Sequence, residues 1–503
     1  MTSPRFRTSR LLAVTAAIGL SAAGIQAAQA STTAEPPSTP VPVATPDGQL
    51  SSYVINVKIV NPGQVRKVET AVTRAGGVVV QSWPQIGVVI AHSTNGDFRT
   101  EVVDAARNAI HSVGPTRTAP VGEGTPEGVQ APWGPGKGQL KPKKQAPDPV
   151  EDPTVVVDAP PEQYESLQWD MRMINVPQAH TVTTGSSSVT VGVLDSGIDP
   201  DHPDLKNQID VSQSVNCSDA GRPDTSATGW WPTTSDHGTH VAGTIGAERN
   251  GVGIVGVAPG VKMASVKVVN DDGYIYPEYA ICGFMWAGEK GMEVTNNSYY
   301  VDPFEFWCGD QPEQAPALEA VRRSVDWSTS RGTVHVAAAG NSAYDLSNKT
   351  TNSSSPNDGE TVDRTINSTC KDIPTELDGV VTVSSLDQAG LLSSFSNRGL
   401  GSIDVSAPGS RIASTIVANN GWGYKSGTSM ASPHVAGVAA LVAYMGPGID
   451  LPQWHIDASP FAAVGTVPAV DADVTAVVVL TVLGLLLLFA GFVGFRRRDV
   501  PRG

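Results

Sequence analysis

Apolar residues form a dense strand-like block at Tyr53–Val60, relax to helical spacing over residues 62–76, and return to strand-like runs at 77–83 and 85–92. A second helical stretch over 95–109 and a short apolar run at 110–114 complete the order βαββαβ. That order predicts a small ferredoxin-like α+β unit over residues 53–118. Beyond Tyr164 the pattern changes. Runs such as SVTVGVLD, VKMASVKVV, MEVTNNS, GTVHVAAAG and GVVTVSS are apolar at successive positions rather than alternating, so both faces of each strand are buried. Helical segments at 278–290 and 314–330 fall between them. The chain over 163–447 is therefore expected to form a doubly wound α/β domain with a mostly parallel sheet, and its active groups are expected at the carboxyl ends of the strands.

The flanking stretches follow other rules. Residues 1–30 carry Arg5, Arg7 and Arg10, then an apolar stretch, then Ala28, Gln29 and Ala30, the pattern of a cleaved signal peptide. Residues 31–52 are rich in Pro, Thr and Ala and read as a flexible lead-in, and 119–162 as a Pro/Gly-rich linker open to nicking. After a stalk over 448–473, residues 474–495 are almost wholly apolar and long enough to cross a bilayer as one helix. Arg496, Arg497 and Arg498 follow, which predicts a cytoplasmic tail over 496–503 and places the rest on the outer face of the cell membrane. The net charge of −15 argues against nucleic acid as a partner. Four cysteines, at 217, 282, 308 and 370, suit two disulfides in an exported chain, and three pairings are open.

The chemistry centres on GTSMASPHVAG, residues 427–437, which sets Ser429 at the mouth of an apolar helix with Pro433 in its first turn. A serine hydroxyl needs a base, a carboxylate to orient that base, and donors for an oxyanion. VTVGVLDSGID supplies Asp195 at the end of an apolar strand, with Asp199, Asp201 and Asp204 following as turn residues or metal ligands. DHGTHVAGT supplies His237 as the base, while His240, one turn on, reads as a packed core residue.

Taken together, VGVLDSGID, HGTHVAGT and GTSMASPHVAG, in the order Asp, His, Ser, resemble the three signature blocks of the subtilases. The resemblance covers residues 164–445. It implies a subtilisin-like serine endopeptidase that cleaves peptide bonds in protein or peptide substrates, acts as a monomer and needs no cofactor for its chemistry. It also makes residues 53–118 similar to an inhibitory propeptide, hence a zymogen. Asn341, ending GTVHVAAAGN, matches the oxyanion donor. Ser298, Tyr299 and Tyr300, with Ala338 and Gly340, match one wall of the substrate pocket, and Gly273 and Tyr274 the opposite edge. Tyr299 and Tyr300 depart from the family's Leu and Gly. Asp204 and Asn250 match a structural calcium site. Signal, peptidase domain and terminal helix also resemble lantibiotic leader peptidases and mycosins, which offers a specialised processing protease as an alternative. A non-catalytic surface scaffold is the other. Carboxylates near the cleft, at Asp271, Asp272, Glu278, Asp302, Glu305 and Asp310, lead to an expected preference for Lys or Arg near the scissile bond, weakened by salt.

Overall fold

The computed structural model describes residues 35–124 and 164–445. Its first unit has the expected order: β1 (Ser51–Val57), α1 (Pro62–Arg74), β2 (Gly77–Trp83), β3 (Val88–Ser93), α2 (Phe98–Ala106) and β4 (Ile110–Pro115). The strands form an antiparallel sheet in the order β2-β3-β1-β4. Asn61 caps α1 by accepting from the Gln64 N–H at 2.9 Å, and Pro62, which has no N–H to satisfy, opens the helix. Strand alternation splits the sheet. Tyr53, Ile55 and Val89 pack on α1 and α2, while Val54, Val88 and Ile90 face the other way, into the core of the larger domain.

That larger domain opens with the short helices α3 (Trp169–Met173) and α4 (Val176–Ala179). Eight strands then build one sheet: β5 (Thr190–Asp195), β6 (Val215–Asp219), β7 (Arg222–Asp224), β8 (Lys262–Lys267), β9 (Val294–Asn297), β11 (Val334–Ala338), β15 (Val380–Leu386) and β16 (Val405–Pro408). Their order is β16-β15-β11-β9-β5-β8-β6-β7, parallel except for the β6–β7 pair. Smaller pairs are β10 (Trp307–Cys308) with β14 (Cys370–Lys371), β12 (Thr351–Asn352) with β13 (Arg364–Thr365), and β17 (Ile412–Ile416) with β18 (Gly421–Lys425). Helices α5 (His237–Gly246) and α8 (Thr428–Met445) cover one face, where Val191, Val193 and Val336 point. Helices α6 (Pro277–Lys290) and α7 (Ala315–Ser330) cover the other, with Leu194, Val266 and Ala337. The unbroken apolar runs are thus explained: each central strand feeds two cores.

Three boundaries differ from the sequence reading. Residues 35–50 do not lead in loosely. Ser38 is buried, its N–H and hydroxyl donate to Asp310 at 2.8 and 2.6 Å, and the Thr39 N–H donates to the Thr365 carbonyl at 2.8 Å. Polar side chains that looked like linker composition are here hydrogen-bonding groups. The small domain also runs past residue 118, since the Ala119 N–H donates to Asp358 and the Val121 N–H to the Leu50 carbonyl. Pro433 stands one turn inside α8 rather than at its start. It lacks the N–H that would bond the Ser429 carbonyl, and the Ser298 hydroxyl donates there instead at 2.9 Å.

The cysteine pairing left open is Cys217 with Cys282 and Cys308 with Cys370. The first ties β6 to α6 and the second joins β10 to β14. Closing loops of 65 and 62 residues is worth about 4 kcal/mol each on a loop-entropy account. Among the described residues no helix is long and apolar enough to cross a membrane. The signal segment, the rest of the linker, the stalk, the span at 474–495 and the tail lie outside those residues.

The small domain is held against α6 and α7 by polar clasps as well as apolar packing. Asn56 donates to the Pro316 carbonyl at 2.8 Å, and Arg323 donates to the carbonyls of Val57 and Ile86 at 3.2 Å each. At the centre Arg117, fully buried, pairs with Glu278 and Glu123 and stacks over the Tyr276 ring at 3.8 Å. Its partners raise its pKa further despite the opposing effect of burial. Removing one member leaves a buried charge short of a partner. Glu278→Ala is therefore expected to lower stability by about 3 kcal/mol, and the double substitution Glu278→Leu with Arg117→Met to recover most of that loss, both read by thermal unfolding.

Candidate active site

Asp195 ends β5 and His237 begins α5, on adjoining loops above the sheet. The imidazole Nδ1 lies 2.9 and 3.0 Å from the two oxygens of Asp195, close enough to fix the ring's orientation and tautomer. This approach depends on the residue after His237. A Cβ on Gly238 would stand 2.5 Å from the Gly197 carbonyl and 3.0 Å from the Asp195 Cβ, so a side chain there would wedge base and carboxylate apart. The Ser196 N–H donates to Asp195 Oδ1 at 2.7 Å, and the Gly238 N–H donates to Ser196 Oγ at 3.0 Å, locking the two loops together.

Ser429 enters from α8, buried, with its hydroxyl 3.3 Å from the Ser298 carbonyl. Its helix is fastened from several sides. Ser432 donates to Asn296 at 2.6 Å, and His434, fully buried, bridges the Met430 carbonyl at 2.8 Å and Asp170 of α3 at 3.0 Å. Asn341 follows β11. Its side-chain oxygen accepts from both the N–H and the hydroxyl of Thr428 at 2.8 Å, which turns its amide nitrogen away from Thr428 and leaves it as a donor. Thr428 in turn accepts from the Gly340 N–H at 3.0 Å.

Asp195, His237, Ser429 and Asn341 all line one cleft of about 300 Å³. Gly273 stands on one rim; Ser298, Tyr299, Tyr300, Ala338 and Gly340 stand on the other. Of the substrate residues read from the sequence, Tyr274 is the exception. Its ring stacks on Tyr276 and its hydroxyl donates to the Asn357 carbonyl, so the side chain fills the core, and Ile275 lines the cleft beside Gly273. His240 is a core residue as expected, its Nε2–H donating to the Ile412 carbonyl at 3.1 Å and burial holding its pKa well below the usual value.

Thr428, Asp170 and Asp372 were not read from the sequence as site residues, and Glu305 only as one of several charges near the cleft. Thr428 adjoins the nucleophile, so the signal was present but had no visible partner. Asp170 and Asp372 reach the site only through the fold.

The calcium expectation fares differently. The Asp204 Oδ2 accepts from the Ile254 N–H at 3.0 Å and the Trp422 indole N–H at 2.8 Å, its Oδ1 is buried with no hydrogen-bond partner among the described residues, and the Glu248 carboxylate is near enough to act on it. Asn250 turns its oxygen to the Val252 N–H and its amide to the Pro203 carbonyl. N–H donors thus hold Asp204 Oδ2 and the Asn250 oxygen, two of the oxygens that a hard cation would need as ligands. Burial instead pushes the Asp204 carboxyl up to about 6.

A carboxyl raised above its unfolded value binds a proton on folding, so its contribution to stability falls as pH climbs from about 4 through 6. Asp204→Asn should therefore raise Tm at pH 7, with the gain fading toward pH 4, and added calcium should leave wild-type Tm unchanged in the same melts. Thr428→Val should loosen the Asn341 amide. We expect kcat to fall about 10-fold to 10²-fold at nearly constant KM, below the roughly 10²–10³ expected for Asn341→Ala, in steady-state assays.

Comparison with known proteins adds independent findings. A family model described as the subtilase family matches residues 186–450. Another, described as the C-terminal domain of the multidrug efflux system permease Rv1217c, matches 416–496, most of which lies outside the described residues. The subtilisin of Bacillus pumilus is 34% identical over 278 residues, covering 55% of this chain and 85% of that protein. Subtilisin E of Bacillus subtilis (strain 168) is 34% identical over 281 residues, and the match spans 62% of its length. Among solved structures, the epidermin leader peptide processing serine protease EpiP from Staphylococcus aureus superposes with a TM-score of 0.56 at 20% identity, over 81% of this chain and 91% of that one, a likeness of fold.

Proposed function

The chain belongs to the subtilase family of serine peptidases, and from that premise we propose that it is an exported endopeptidase, made as a zymogen, acting as a monomer at the outer face of a membrane that residues 474–495 span. The observation that carries the catalytic part is the convergence of Asp195, His237, Ser429 and Asn341 on one cleft. Ser429 attacks the scissile carbonyl while His237 takes its proton. The imidazolium is steadied by Asp195, and the oxyanion accepts from the Asn341 amide. His237 then protonates the leaving amine, and water repeats the cycle on the acyl-enzyme.

The zymogen part draws its support from the small domain docked on α6 and α7. A second reading, a specialised processing peptidase in which that domain is a permanent support, has its own observation. Among the described residues lining the cleft, none comes from the small domain.

One experiment separates them. Wild type and Ser429→Ala are expressed at full length, labelled with a fluorophosphonate, fractionated and sized by mass spectrometry. The zymogen reading expects wild type cut between residues 124 and 164, labelled and in the membrane fraction, and Ser429→Ala uncut and unlabelled. An uncut wild type that still labels would favour the second reading. An intact wild type that does not label would sink both.

A further inference from the structure

One part of the cleft is chemically unlike a neutral side-chain pocket. Together with Ser298–Tyr300, Ala338 and Gly340 it is lined by Glu305 and Asp372, which are only 6% and 2% exposed. Glu305 accepts hydrogen bonds from the Ser342 hydroxyl at 2.8 Å, the Asn352 amide at 2.8 Å and the Ser354 hydroxyl. Asp372 is different. Its Oδ1 is buried with no hydrogen-bond partner, and its Oδ2 faces Gly340, 3.5 Å from where a Cβ on that residue would sit.

The buried charges around this pair do not balance. Glu376 is paired with Lys349. Glu305 has Arg364 as its nearby cation, joined to it through Asn352, which accepts from Arg364 at 2.9 Å. Among the described residues Asp372 is ion-paired with no cation, and Lys349 is taken by Glu376. Burial drives the Asp372 carboxyl well up, the neighbouring Glu376 and Glu305 add to this, and Lys349 opposes it. A buried carboxylate without a partner is costly, and the cost falls when a cation arrives.

We propose that Glu305 and Asp372 form the floor of the pocket for the residue that precedes the scissile bond and select Lys or Arg there. The proposal rests on the peptidase reading and names its substrate class. The methylene stem of such a side chain would lie along the apolar surface of Tyr300 and Ala338, with the charged end at the carboxylates. This is a contact mechanism, whereas the sequence suggested a diffuse field. Of the six carboxylates in that expectation, Glu278 is sequestered by Arg117, Asp310 by Ser38, and Asp302 by the Ile275 N–H and Asn357. Asp271 and Asp272 do line the cleft, on its other rim. A buried pair is screened little by salt, so the selectivity should survive high ionic strength.

The test uses matched peptides carrying Lys, Arg, norleucine or Glu before the scissile bond, with active enzyme counted by fluorophosphonate titration. Norleucine copies the lysine stem without its charge. The expected result is kcat/KM for Lys and Arg about 10²-fold above norleucine, at low and high salt alike, with Glu the worst. Asp372→Asn and Glu305→Gln should each lower the Lys-to-norleucine ratio of kcat/KM at least about 10-fold. Norleucine cleaved as well as Lys by enzyme that labels normally would overturn the pocket assignment and leave the peptidase reading intact. A selectivity abolished by salt would return it to the rim carboxylates. If either variant fails to label because it does not fold, the wild-type ratio and its salt response decide. Absence of labelling in wild type would mean that the peptidase reading itself had failed.

Discussion

Everything at this site hangs on two loops approaching closely enough for Asp195 to hold the His237 imidazole by its Nδ1. The approach is sterically possible because Gly238 has no side chain to strike the Gly197 carbonyl. It is durable because the Ser196 hydroxyl, beside Asp195, bonds two backbone groups of the His237 loop, the Ser235 carbonyl and the Gly238 N–H. Neither loop would be so placed without the parallel sheet beneath. β5 lies between β8 and β9, and the residues that follow β5, β9 and β11 emerge side by side at one edge. The nucleophile arrives from another direction, on a helix whose interior proline leaves a carbonyl that the neighbouring loop takes up through Ser298.

Local patterns made the core of this arrangement readable. Strands buried on both faces announce themselves as unbroken apolar runs, and the blocks around Asp195, His237 and Ser429 each carry small residues that tight loop packing demands. The edge strands β7 and β16, and β6 beside β7, were missed for a physical reason. They are short and partly polar, as VNCSD, RPD and VSAP show, and owe their conformation to a neighbour rather than to their own pattern. The same limit hid Asp170 and Asp372. A carboxylate far along the chain is just another polar residue until the fold brings it beside His434 or Gly340. Composition misled in the opposite sense at residues 35–50, where Pro, Thr and Ala suggested a tether, yet Ser38 and Thr39 proved to be hydrogen-bonding groups. Asp204 shows a third kind of limit. Its position in the chain suits a metal ligand, yet an indole two hundred residues away decides what its oxygen meets.

The small domain adds a separate energetic layer. Its sheet shares an apolar core with α6 and α7, and the Arg117 clasp sets a guanidinium between two acidic groups and two tyrosine rings. Apolar packing alone tolerates sliding, whereas a buried charge held by named partners tolerates one register. The domain is therefore positioned as well as attached.

The Cys308–Cys370 bridge acquires a meaning from its neighbours. Cys308 lies three residues after Glu305, and Cys370 two before Asp372, so one covalent link gathers the two chain segments that carry the acidic floor of the cleft. Without it, β10 and β14 touch through only two residue pairs, Trp307 with Lys371 and Cys308 with Cys370. A newly made chain among cytosolic reductants would hold its triad on a sheet that owes nothing to this bridge, but its selective pocket would be loosely assembled. The order of that part of the cleft would then follow the oxidation state of two thiols rather than the packing of the sheet.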